Sequence, residues 1–238
     1  MSNDYLAVEY DPERRPKTAY PALLAAYIAK KVGMAAGRSL LELGCGRAEV
    51  ASGFVELGLH VTGIDSSPSA KNFANSAGIT FVQAEVAPYA VLPVESQSFD
   101  YVFSKSFIEH MREPLSFLEA CYALLKPNGK VVVLTPDWEA NMKVFYDDVT
   151  HVSPLTRESM RQALELAGFE DIQVFRFRQL PVTWNSASMN FLAASIAPLV
   201  PPRSKRKFFR WSRELMLCGI ASRPADSPAR VVQPTADG

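Results

Sequence analysis

Along residues 39–135 short apolar runs alternate with stretches whose apolar positions recur at helical spacing. SLLEL, HVTGID, ITFVQ, FDYVFS and GKVVVLT read as strands over residues 39–43, 60–65, 79–83, 99–104 and 129–135. Helical patterns cover residues 22–33, 48–57, 69–77 and 114–125. Alternation of this kind predicts βαβ units, hence an α/β fold with a parallel sheet, helices on both faces and ligands beyond the carboxyl ends of the strands. Farther on, a helix near Arg157 to Ala167 closes on Gly168, DIQVFRFRQL alternates as a sixth strand, and MLCGIASR supplies a seventh. The tail after Pro224 is rich in Pro, Ala, Asp and Ser and is expected to be disordered.

The first strand runs into a glycine turn, LLELGCGRAEV. Gly44 and Gly46 let the backbone turn sharply and approach a ligand, which would face backbone NH groups where the next helix begins. Glu42, just before the turn, disfavours a pyrophosphate and suits a cationic partner. A dinucleotide fingerprint would want a third glycine where this chain has Glu49. Asp65 ends the second strand about 20 residues after the turn, the position from which an acid meets ribose hydroxyls.

From LELGCGRAE to that acid the chain resembles the class I S-adenosylmethionine-dependent methyltransferases. FVQAEVA is similar to their third strand and adenine turn, with Ala84 and Glu85 at the adenine place. SFDYVFSKSFIEHM looks like their fourth strand and the loop over the cofactor, and LLKPNGKVVVLTP like the helix end and fifth strand. The resemblance covers most of residues 37–136. It implies a Rossmann-like, seven-stranded, mostly parallel sheet with the last strand antiparallel beside the fifth. It also implies S-adenosyl-L-methionine as cofactor, held by Glu42, Gly44, Cys45, Gly46, Asp65, Ser66, Ala84 and Glu85, with Ser104 at the same end of the sheet.

FYDDVTHVSPLT, residues 145–156, resembles the DDxTHVxP segment of methyltransferases of cell-surface glycan biosynthesis, which implies a sugar or glycan hydroxyl as acceptor. A lipid or quinone-like small molecule is the alternative, and a non-catalytic membrane-docking module that keeps the cofactor fold is a third reading. Displacement by an alcohol needs an aligned oxygen and a base for its proton. His151, oriented by Asp147 or Asp148, is the first candidate base, and His110 in IEHM, braced by Glu109, is the second. Asp147, Asp148 and His151 alternatively offer ligands to a divalent cation, although no metal is assigned. Arg14, Arg15 and Tyr20, in the segment before the first helix, are candidates to meet the methionine carboxylate, and Lys105 competes for a place in the site.

Composition narrows the classes further. At 238 residues, 48% hydrophobic and 21% charged, the chain suits one sizeable domain, and a formal net charge of +0 argues against nucleic acid as a partner. The expected organisation is an N-terminal lid and helix over residues 1–36, a methyltransferase domain over 37–223 with an insertion at 183–213, and a tail from 224 to 238. Cys45, Cys121 and Cys218 are widely spaced and suggest neither a zinc site nor a disulfide framework, as in a cytoplasmic protein. No run reaches the length of a membrane span or a signal peptide. Within the insertion, the apolar WNSASMNFLAASIAPLVPP precedes the basic and aromatic RSKRKFFRWSR, which suggests peripheral membrane contact through residues 184–213.

Overall fold

The structure, a computed structural model, describes residue 6 and residues 16–88, 90–204 and 206–226, apart from the side chains of residues 207 and 208. Arg14, Arg15 and the tail beyond residue 226 lie outside the described residues. Helix α1 (Tyr20–Val32) leads into β1 (Ser39–Leu43), α2 (Glu49–Glu56), β2 (His60–Asp65), α3 (Ala70–Ser76), β3 (Thr80–Gln83) and β4 (Phe99–Lys105). Then come α4 (Pro114–Leu124), β5 (Leu125–Pro136), the short α5 (Trp138–Asn141), α6 (Arg157–Leu166), β6 (Glu170–Arg178), α7 (Ala187–Ile196), α8 (Lys207–Arg213) and β7 (Leu215–Ser222).

The seven strands lie in the order β3-β2-β1-β4-β5-β7-β6. β1 pairs in parallel with β2 and β4, while β7 runs antiparallel between β5 and β6. The sheet therefore has the predicted mostly parallel form with its last strand antiparallel beside the fifth. Strand order reverses between β1 and β4, which opens the crevice where α/β sheets bind ligands.

Burial on both faces explains why the central strands read as continuous apolar runs. One core sets Leu24, Ile28, Phe54 and Phe103 between the sheet and α1 to α3. The other sets Leu41, Val133, Phe117 and Leu164 between the sheet and α4 and α6.

Two departures from the sequence expectation have local reasons. β5 begins at Leu125 instead of residue 129, because Phe99 pairs with Leu125 before the register shifts to Tyr101 opposite Lys130. The last strand ends at Ser222, one residue short of the expected Arg223, which is fully buried. Its guanidinium donates to the carbonyls of Tyr122 and Leu125 at 3.2 and 2.7 Å, tying the end of β7 to the carboxyl end of α4.

The connection from β6 to β7 carries α7 and α8. It is rooted on α1 by aromatic packing, with Trp184 against Tyr27 at 4.9 Å and Tyr20 against Trp211 at 5.0 Å between ring centroids. Among the described residues no helix is long and apolar enough to cross a membrane.

Candidate active site

The turn after β1 is built by backbone conformations that side chains resist. Gly44 has φ +73° and Gly46 φ +51°, and Ala48 enters the left-handed region at φ 54° just before α2. A Cβ at Gly44 would stand 2.3 Å from the Phe107 ring, so the glycine also makes room for the loop after β4. The amides of Gly44 and Cys45 donate to Ile64 O at 2.9 and 3.0 Å, and that of Gly46 to Asp65 Oδ2 at 2.7 Å. These three NH groups are thus engaged in holding β1 to β2. Recognition by the turn therefore falls on its shape and on the acids beside it.

Above the carboxyl ends of β1, β2 and β4 lies a cavity of about 620 Å³. Glu42, Gly44, Cys45, Gly46, Asp65 and Ser66, six of the residues expected at the cofactor, line it, and so do Lys105, Phe107, His110 and Thr150. Leu6, the one described residue of the first fifteen, lines it too. Three of the proposed cofactor residues stand outside the lining. Ser104 is buried and donates its hydroxyl to Leu43 O at 3.1 Å, Ala84 donates its amide to Asp65 O at 3.2 Å, and Glu85 is exposed. Arg47 and Glu49, a 2.9 Å ion pair on the cavity wall, escaped the sequence reading because no spacing marks them.

Two carboxyls give the cavity its electrostatic character. Asp65 accepts from the amides of Gly46 and Ser67 through different oxygens, at 2.7 and 2.9 Å, which fixes the plane of its carboxylate. Burial pushes Glu42 up to about 8, against the pull of Lys105. Its Oε2 is buried with no hydrogen-bond partner, an arrangement that costs free energy unless a donor or a positive charge meets it. This combination suits a ligand with a cationic centre and vicinal hydroxyls, and S-adenosylmethionine carries both.

Beside the cavity the two histidine candidates stack edge to face, with ring centroids 4.8 Å apart. His110 lines the cavity. His151 stands behind it and lines a second, smaller hollow of about 180 Å³ with Phe145, Asn141 and Glu214. Burial, then the neighbouring His151, holds His110 below the ordinary histidine range, against the carbonyls of Thr150 and Ser106 and the charge of Asp148. A lowered value keeps this imidazole neutral and able to accept a proton at neutral pH. Asp148 Oδ2 is 3.8 Å from His151 Nε2, too far for a hydrogen bond, and its Oδ1 accepts from Thr150 Oγ1 at 2.6 Å.

Other candidates are placed elsewhere. Asp147 faces away and pairs with Arg203 at 2.7 Å, so Asp147, Asp148 and His151 do not converge as a ligand set. The ring of Tyr20 packs on the insertion, and its hydroxyl lies 3.5 Å from Gln179 Oε1, outside the cavity lining. Lys105 does line the cavity.

Comparison with known proteins agrees with this architecture. Residues 13–174 match the family described as a methyltransferase domain. A ubiquinone biosynthesis O-methyltransferase of Paraburkholderia phytofirmans is 35% identical over 104 residues, which is 42% of this chain and 45% of that protein. One of the same name from Alkalilimnicola ehrlichii is 34% identical over 134 residues, 53% of each chain. The chain thus spans about half the length of these curated relatives. In fold, a SAM dependent methyltransferase from Archaeoglobus fulgidus superposes with a TM-score of 0.63 at 20% identity, over 92% of this chain and 100% of that one.

Proposed function

This chain belongs to the methyltransferase domain family, and from that membership we propose that it is an S-adenosylmethionine-dependent O-methyltransferase acting on a small phenolic, quinone-like acceptor. The observation that carries the reading is the cavity over the glycine turn, where the unpartnered Glu42 oxygen and the fixed Asp65 carboxylate stand together. The cofactor supplies a methyl group made electrophilic by its sulfonium. Asp65 takes the ribose hydroxyls, Glu42 favours the positive charge, and Gly44, Cys45, Gly46 and Ser66 shape the floor. Ala84 and Glu85 border the adenine end, and Ser104 supports β1 from behind.

The hydroxyl to be methylated would lie on the His110 side of the cavity. His110 is the nearer of the two imidazoles, with His151 and Asp148 backing it through ring contact and Thr150. Without any bound cation its activation is direct proton uptake by the neutral His110 ring. A phenol, with a pKa near about 10, gives up that proton more readily than a sugar alcohol does. The names of the curated relatives also favour a quinone-like acceptor over the glycan that residues 145–156 suggest. Peripheral membrane contact through residues 184–213 fits an apolar acceptor of this kind.

The test is a panel of catechol, hydroxyquinol and sugar acceptors incubated with labelled cofactor, alongside calorimetry with S-adenosylhomocysteine. Methylation of the phenolic acceptors and saturable binding of the demethylated cofactor are expected. Turnover on sugars alone would return the acceptor to the glycan class, and absence of cofactor binding would end the whole reading.

A further inference from the structure

Three side chains able to ligate a metal cluster beside the cavity, and of the three His110 lines it. Glu109, His110 and His151 each offer one ligand atom, and these atoms lie within 4.8 Å of one another. Hydrogen bonds to other partners set which of their atoms keep a lone pair. His151 Nδ1 lies 2.7 Å from Phe145 O, and a carbonyl only accepts, so Nδ1 carries the proton and the lone pair sits on Nε2. Thr150 Oγ1 donates its one proton to Asp148 Oδ1 at 2.6 Å and so accepts from His110 Nδ1 at 2.9 Å, which again puts the lone pair on Nε2. Glu109 Oε2 accepts from Thr135 Oγ1 at 2.9 Å, whereas its Oε1 is buried without a hydrogen-bond partner.

Oriented imidazoles whose second nitrogen donates to a carbonyl or hydroxyl, beside a carboxylate held by its other oxygen, are the usual outer shell of a metal site. The two chain segments are also fastened together. Val152 N and Ser153 N both donate to Glu109 O, at 2.9 and 3.0 Å, and Ser153 Oγ donates to Met111 O at 2.6 Å. The ligands are therefore pre-positioned although they are far apart in sequence. Nothing in their spacing announces the set, and the acids adjacent to His151 in sequence are not its members.

We propose that Glu109, His110 and His151 form a two-histidine, one-carboxylate site for a borderline divalent cation of the Mn²⁺ to Zn²⁺ series. Two nitrogen donors select against Mg²⁺ and Ca²⁺, which prefer all-oxygen shells, and three protein ligands leave positions open for an outside oxygen. Ligands bound at about 2.1 Å stand roughly 3 to 3.5 Å apart, so the three side chains would draw in by about an ångström on loading. His110 borders the cavity, so an open position would face the acceptor. The proposal rests on the reading that the acceptor hydroxyl sits beside His110, and it replaces direct proton uptake by coordination. The bound hydroxyl would release its proton to bulk water and keep its oxygen on the cation, ready to attack.

Protein stripped with a chelator and titrated with Co²⁺, followed by visible absorption and calorimetry, tests the site without any turnover assay. Saturable uptake of a single equivalent is expected, weakened at least about tenfold by Glu109→Gln and by His151→Ala. Retained S-adenosylhomocysteine affinity certifies the fold of each variant, and either variant suffices if the other loses its fold. No saturable uptake by wild-type protein that binds S-adenosylhomocysteine overturns the site and leaves His110 as a direct base, and so does uptake unchanged in a folded variant. Saturable uptake lost in the variants, by wild-type protein that fails to bind S-adenosylhomocysteine, would support the cation site while counting against the cofactor reading.

Discussion

Under the proposed function, Glu42 is the residue whose protonation would couple the cavity to its ligand. Burial moves its carboxyl from an ordinary 4.5 up to about 8, so near neutral pH the ligand-free protein holds it mainly neutral. The folded state then binds a proton that the unfolded chain has lost, and stability falls as pH rises from the lower value to the higher. A sulfonium reverses that balance by favouring the ionised form. Affinity for S-adenosylmethionine should therefore climb with pH up to about 8, approaching about tenfold per pH unit well below that value, and S-adenosylhomocysteine, which lacks the sulfonium charge, should show a shallower slope. Calorimetry with both ligands between roughly pH 6 and 9 measures the two slopes, and Glu42→Gln should flatten the difference. Parallel slopes in the wild-type protein would remove Glu42 from contact with the charge. At this scale the sequence was informative where a residue's role is local. Glu42, Gly44 and Asp65 declare themselves by their place at strand ends, whereas Thr150 and Phe107, although inside segments that resemble family motifs, are singled out only once packing brings them to the cavity.

Among the elements, the starts of β1, β4 and β5 are knotted by one carboxylate. Asp100 accepts from Ser39 N at 2.9 Å, from Ser39 Oγ at 2.7 Å and from Lys126 Nζ at 2.9 Å, with Arg38 at 3.3 Å. Partial burial opposes its ionisation, but the bonds from Lys126 and Ser39 outweigh it and hold the carboxyl below the usual range. A depressed folded-state pKa contributes stability that is present above the unfolded value and is lost as pH falls through the folded one. Asp100→Asn should cost about 1 to 3 kcal/mol near neutral pH, and its deficit against wild type should shrink once pH drops below about 4. Urea unfolding at both pH values measures this, and a deficit independent of pH would mean that shape, not charge, holds the knot. Strands and helices were legible because burial on two faces prints continuous apolar runs and burial on one face prints the helical period. The early start of β5 was not, because Lys126 to Asn128 read as a turn and fall within the register shift, and only Leu125 opposite Phe99, on the neighbouring strand, marks the earlier start. The burial of Arg223 was not legible either, since a charged side chain is ordinarily exposed unless partners such as the carbonyls at a helix end enclose it.

On the scale of the whole molecule, the connection between β6 and β7 is where surface chemistry and the site meet. Phe191, Leu192 and Leu199 are 76%, 51% and 83% exposed, an apolar display that folded surfaces rarely leave without a partner. The basic segment that follows is less free than its composition suggests. Arg203 pairs with Asp147, Arg210 with Glu214, and Arg213 donates to Val200 O. Full burial of a large apolar side chain contributes about 1.5 to 3 kcal/mol, against about 1 kcal/mol for a basic residue near an anionic surface. Three exposed apolar groups therefore outweigh the basic segment, in which Arg203, Arg210 and Arg213 are already engaged within the protein, so the proposed membrane contact should be driven by insertion more than by charge. Sedimentation with vesicles of mixed neutral and anionic lipid should show binding that salt reduces only modestly and that a Phe191→Ser, Leu199→Ser double variant abolishes. Binding that salt removes entirely would hand the role to the basic segment, and no binding at any lipid composition would sink the contact. The outcome bears on the acceptor as well, because the Arg203 to Asp147 pair joins this insertion to the loop that carries His151, while Trp184 joins it to α1. An apolar acceptor drawn from a lipid surface would give the exposed apolar face a use, whereas a soluble sugar would not.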